Sequence, residues 1–129
     1  MIGNLRTPFS KSDIILDGLY LLTFGLHQIE GENIINDLPV YKSGEIMAFF
    51  TDKRIVFSCK PDQFGSFDKS SGFEFLPYKS IRRFALFSDH LARNYTLDIV
   101  VSDNVTIPFY LSDSHEATKI SRLIGKHSV

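Results

Sequence analysis

Phe49-Phe50-Thr51-Asp52-Lys53-Arg54-Ile55-Val56-Phe57 sets a polar turn between two apolar runs. Thr and Asp bond readily to their own backbone and favour turns, whereas the flanking aromatic and β-branched residues favour strands. The stretch therefore reads as a β-hairpin. Its second arm, Arg54–Cys59, puts Ile55, Phe57 and Cys59 on one face and Arg54, Val56 and Ser58 on the other. Upstream, Ile34, Leu38 and Val40 share one parity, and Ser43-Gly44 turns the chain into Glu45–Phe50.

Working towards the C-terminus, Lys60 to Gly72 is a long polar connection that nevertheless carries Phe64 and Phe67. Phe73–Leu76 and Ser80–Phe87 read as two more strands around Pro77-Tyr78. Ile81 and Phe84 are three apart and cannot both face inward on a regular strand, which predicts a bulge near Arg82-Arg83. Tyr95, Leu97, Ile99 and Val101 then alternate with polar residues, turn at Ser102-Asp103-Asn104, and return through Val105, Ile107, Phe109 and Leu111. Pro108 falls on the outward parity and donates no ladder bond, so its strand is an edge or is bulged. An amphipathic helix closes the chain, with apolar Ala117, Ile120, Leu123 and Ile124 and capping-box spacing at Asp113 and Glu116.

Towards the N-terminus, Ile15, Leu19, Leu22, Leu26 and Ile29 recur at helical steps, with Ser12 or Asp13 as the N-cap. Gly18 and Gly25 require that helix to be short or broken. Residues 1–11, with Gly3, Asn4, Pro8 and Ser10 as breakers, read as a flexible tail. The expected organisation is one domain over 12–129, made of a helical segment at 12–29, a barrel at 33–111 and a capping helix at 113–127.

Seven antiparallel strands followed by one helix is the order of a pleckstrin-homology-like barrel, in which the helix plugs one end of two roughly orthogonal sheets. The chain resembles the small single-domain bacterial pleckstrin-homology family of unassigned function. The residues that carry the resemblance are Glu30-Gly31-Glu32, the Phe50-Thr51-Asp52-Lys53-Arg54-Ile55 hairpin, and Pro77-Tyr78-Lys79-Ser80-Ile81 with Phe84. It spans roughly residues 14–127, with a longer Lys60–Gly72 loop and a different start to the second strand at Ser43-Gly44-Glu45. The resemblance implies no enzymatic activity and a homo-oligomer of ring shape.

The net charge of −1 lacks the basic excess that phosphate contacts require, which disfavours nucleic-acid binding. The single cysteine, Cys59, excludes an intrachain disulfide and fits a reducing, cytoplasmic setting. Ile14 to Leu26 is too short and too interrupted for a membrane span. His27, His90, His115 and His127 show no metal-ligand spacing, and no glycine loop fits a phosphate. No cofactor is expected.

Six residues are candidates for interaction. Phe64 and Phe67 are costly to leave exposed in a polar loop, so they pack on the barrel or meet another chain. Lys53 and Arg54, with Arg82 and Arg83, are candidates for an anionic partner, set against a plain turn and a solvated face. The expected function is a self-associating scaffold module. The alternatives are a membrane-surface module binding anionic lipid and a barrel that binds a small ligand or acts as an enzyme.

Overall fold

Alternating apolar residues organise the chain into two antiparallel sheets, and a computed structural model describes residues 8–12, 18–59, 72–89 and 94–127 of it. Strands β1 (Ser10–Ser12), β2 (Val40–Ser43), β3 (Ile46–Phe50), β4 (Arg54–Cys59) and β5 (Gly72–Pro77) form a five-stranded sheet in chain order. Strands β6 (Arg83–Asp89), β7 (Asn94–Ser102) and β8 (Val105–Leu111) form a three-stranded sheet. The hairpin at Thr51–Arg54 joins β3 to β4, with Phe50 opposite Ile55. Gly44 turns β2 into β3 at a φ of +61°, a left-handed conformation that costs a Cβ-bearing residue energy.

One face of each sheet builds the main core. Tyr41, Ala48, Phe50, Ile55 and Phe57 from the first sheet meet Leu97, Ile99, Ile107 and Phe109 from the second. Helix α2 (Ser114–His127) adds Ala117, Ile120 and Ile124 to the same core. Each Leu, Ile or Phe side chain among them contributes about 1.5–3 kcal/mol when fully buried. Asp113 caps the helix by accepting the Glu116 backbone N–H at 2.9 Å. Glu116 is itself buried; its carboxylate accepts the Ser112 backbone N–H at 3.2 Å and the Tyr41 hydroxyl at 2.6 Å. The cap thus ties α2 to β2. Burial and the Glu116 hydrogen bond both push the Tyr41 phenol above its ordinary pKa.

Residues 8–11 correct the expectation of a tail where they are described, while residues 1–7 lie outside the described residues. Phe9 is fully buried, stacked on Phe109 at 5.0 Å and tilted against Phe57 at 5.5 Å. Its backbone N–H donates to Pro108 C=O (2.9 Å), and its C=O accepts the Tyr110 N–H (2.7 Å). The next residues pair with β2, Ser10 opposite Lys42 and Ser12 opposite Val40. One short segment therefore joins an edge of each sheet. Pro108 fits here because its missing N–H would point to the side where Phe9 supplies a donor. Eight strands stand among the described residues, one more than the seven expected.

Three local expectations also change. Ser12 lies in β1, and Asp13, the other expected cap, lies outside the described residues; helix α1 spans Gly18–Gly25. The Ile81–Phe84 parity conflict is resolved by a 3-10 turn at Tyr78–Ser80, which leaves Ile81 buried and lets β6 start at Arg83. Arg82 N–H nevertheless reaches Val100 C=O at 2.8 Å although Val100 is the register partner of Arg83, so the ladder is irregular at Arg82-Arg83, and a second irregularity falls between Val100 and Ser102 in β7. Ile34 makes only an isolated bridge to Thr51, so the first long strand begins at Val40.

Candidate functional site

The outward face of the five-stranded sheet is itself apolar at Phe49 and Val56, with Val40, Phe73 and Phe75 around them. Helix α1 covers this patch by inserting Phe24, which is buried edge-on against Phe49 at 5.2 Å. Helix α1 and the loop after it are therefore mounted outside the barrel, on a second, smaller core.

A buried ionic knot holds the mount in place. Arg54 lies on the outward face of β4 beside this patch, with its guanidinium carbon 3.9 Å from the Phe75 ring centroid. Its Nε donates to Glu32 Oε2 at 2.9 Å, and its Nη2 donates to Glu32 Oε1 at 3.0 Å and to His27 C=O at 2.7 Å. Glu32, with a fully buried side chain, also accepts the Thr51 hydroxyl at 2.7 Å and the Ile29 N–H at 3.0 Å. Burial works against its charge. The hydrogen bonds from Arg54, Thr51 and Ile29, with the Arg54 charge, outweigh burial and hold the carboxyl below its ordinary pKa.

The turn is locked as tightly. Thr51 Oγ1 accepts the N–H groups of Lys53 (3.1 Å) and Arg54 (3.0 Å), and the buried Tyr78 hydroxyl donates to Thr51 C=O at 2.6 Å. Asp52 reaches across to the Asn33 backbone N–H at 3.0 Å. Both halves of the loop that carries Glu32 are thus fastened to the β3–β4 hairpin.

The mounted helix and the loop after it turn apolar residues to solvent. Leu22 is 67% exposed, Leu26 80% and Ile29 47%, with Leu21 beside them. These are members of the predicted helical stripe, and the structure reverses its sense: Phe24, outside the stripe, makes the buried contact. Ile15 lies outside the described residues.

Of the sequence-derived candidates, Arg54 is buried in the Glu32 pair, while Lys53 is exposed on the turn. Arg82 is exposed and paired with Asp103, and Arg83 is exposed at the start of β6. Lys53 thus belongs to one sheet and Arg83 to the other. Phe64 and Phe67 lie outside the described residues, as does the side chain of Cys59. Glu32, Phe24 and Phe9 were not singled out from sequence as site residues. The available hint for Glu32 was a carboxylate directly after Gly31, which adopts a left-handed φ of +78°.

A groove of about 460 Å³ is lined by Ser10 and Lys11 of β1, Asn94 and Thr96 of β7, and Tyr110, Leu111 and Ser112 at the end of β8. Lys11 is its one charged lining residue. Among the described residues, no three His, Cys, Asp or Glu side chains gather as a metal site. Nor is any described helix long and apolar enough to cross a membrane.

No family model matches the sequence, and no curated protein matches it. Solved structures do match. A DUF1696 family protein with a pleckstrin-homology domain from Shewanella loihica PV-4 aligns over 95% of this chain and 99% of its own, with a TM-score of 0.62 and 19% identity. A pleckstrin homology domain from Shewanella amazonensis SB2B aligns over 86% and 96%, with a TM-score of 0.55 and 18% identity. Two antiparallel sheets closed by a C-terminal helix, and matched along nearly the whole chain by these bacterial structures, make this a protein of pleckstrin-homology-like fold.

Proposed function

We propose that the chain is a non-enzymatic interaction module that associates with copies of itself in the cytoplasm. The observation that carries this reading is the exposed apolar surface of Leu22 on helix α1 and Leu26 and Ile29 in the loop after it, a segment pinned down by Phe24 and the Glu32–Arg54 knot. Soluble monomers seldom keep such a face in contact with water unless it has a use. A rigid mount lowers the ordering cost of binding, because the face is set before its partner arrives. The pleckstrin-homology-like fold of the solved neighbours supports an interaction role over a catalytic one, although fold alone does not assign function. Exposed Lys53 and Arg83 are further contact residues in this reading, as are Phe64 and Phe67.

Light scattering coupled to size exclusion, at low and high salt, tests the proposal. A discrete mass of several chains, reduced to one chain by the double variant Leu22→Glu/Leu26→Glu, is the expected result. Both substitutions fall on exposed positions, so the fold should lose no more than about 0.5 kcal/mol at each. A single-chain mass at every concentration overturns the reading. It would move attention to anionic vesicles as ligands of Lys53 and Arg83.

A further inference from the structure

The groove beside β1 exists because pairing between β1 and β8 stops almost as soon as it starts. Phe9 makes one parallel bridge to Phe109, through its bonds to Pro108 C=O and Tyr110 N–H. From Ser10 onward the chain pairs with β2 instead, Ser10 opposite Lys42 and Lys11 opposite Tyr41. Strands β1 and β8 therefore part after Phe9, and the groove of about 460 Å³ lies where they part. That volume falls within the roughly 300–1,000 Å³ of small-molecule sites.

Strand parity supplies the floor. Leu97, Phe109 and Leu111 belong to the buried core, so Thr96 and Tyr110 take the outer face, with Asn94 and Ser112 two residues away on the same side. Thr96 and Tyr110 stand directly opposite one another across the ladder. Tyr110 is 52% exposed, which leaves it available for contact. The hydroxyls of Ser10, Thr96 and Tyr110 and the amide of Asn94 can each donate and accept a hydrogen bond. No hydrogen bond among the described residues engages these four side chains or the Lys11 ammonium. The Ser112 hydroxyl, by contrast, is donated to Glu116, whose carboxylate is buried beneath it and also bonded to Tyr41. Among the described lining residues there is thus one cation and no carboxylate.

We infer that this groove binds a monosaccharide carrying one anionic group, a carboxylate or a phosphate. An apolar ligand would desolvate four neutral polar side chains without giving them partners, at a cost. A sugar hydroxyl both donates and accepts, as those four side chains do, so each can be matched in either sense. The negative face of an aromatic ring suits the weakly positive C–H groups on one face of a sugar, which is the contact Tyr110 offers. Lys11 supplies one cation for one anionic group, a charge-assisted bond that a neutral sugar cannot make. The groove shares no residue with the Leu22–Ile29 segment, so the inference does not depend on self-association.

Saturation-transfer NMR on the full chain tests this, with glucuronate, glucose-6-phosphate and glucose as probes. At least one of the two anionic sugars should give a saturable signal, and the tighter of them identifies the anionic group. Glucose should bind about tenfold more weakly, because it has no partner for Lys11. Lys11→Met should weaken the anionic sugar about tenfold and leave glucose unchanged. Lys11→Arg keeps the cation and should retain wild-type binding, which separates loss of charge from loss of fold. Tyr110→Ala should weaken every probe about tenfold, with an unchanged circular dichroism spectrum. Sodium phosphate, added as a competitor, should displace the sugar only in large excess. No saturable signal from either anionic sugar overturns the inference. So does an unchanged affinity in Lys11→Met or Tyr110→Ala, or displacement by sodium phosphate at the sugar's own concentration.

Discussion

Replacing Arg54 by methionine keeps most of the side chain's length and removes its cation from the knot beneath helix α1. Glu32 then keeps the Thr51 hydroxyl at 2.7 Å and the Ile29 N–H at 3.0 Å, but loses both guanidinium bonds and the opposing charge. His27 C=O loses its donor at 2.7 Å as well. Breaking a buried pair from one side costs about 3–5 kcal/mol, because the remaining charge stays in a dry site. Set against the roughly 5–15 kcal/mol that holds a typical domain together, this is a large share. Urea titration at pH 7 should show a lower midpoint with an unchanged slope. Glu32→Gln should be costly too, since it strands the guanidinium. The double variant should cost less than the two singles added together, by about 1–3 kcal/mol, because the charge that each single leaves behind is gone. The pH dependence has a definite sign. The folded Glu32 carboxyl lies below its ordinary value of 4.5, so the pair stabilises fully above that value and fades as pH falls through the lower folded one. The gap between wild type and Arg54→Met should therefore narrow on acidification below 4.5. Additive single costs, within about 0.5 kcal/mol, or a gap that ignores pH would refute the knot as the source of the effect.

Two other variants probe the frame. Phe9→Ala empties a fully buried ring site between the sheets and should cost about 3–5 kcal/mol, read as a fall in the urea midpoint. A loss below about 1 kcal/mol would mean that Phe9 is not structural there. Asp113→Ala removes the acceptor for the Glu116 N–H and should cost about 0.5–2 kcal/mol, measured by thermal melting.

The strands and the last helix were legible because their information is local. Alternation from Tyr95 to Leu111 and the Thr51–Arg54 turn each announce themselves within a few residues. The site was less legible because its contacts are distant in sequence. Glu32 and Arg54 are 22 residues apart, and neither flanking segment shows that they meet. Arg54 looked like a turn cation because its parity is outward, and only the second core on that face turns outward into buried. The same core explains the helix: periodicity marks a stripe of apolar residues, but it does not say that Phe24 wins the buried place. Phe9 was hidden among turn-forming residues, since a lone aromatic has no period.

The seating of Phe9 also sets an order on synthesis. Its backbone partners, Pro108 and Tyr110, leave the ribosome roughly a hundred residues after Phe9 itself, a delay of about 5–20 s at ordinary elongation rates. Until then the slot for this ring does not exist, although β2 to β5 can already pair. The first residues of the described fold are therefore among the last to dock. During that interval the emerging chain carries an unsheltered aromatic, within reach of chaperones or of neighbouring nascent chains.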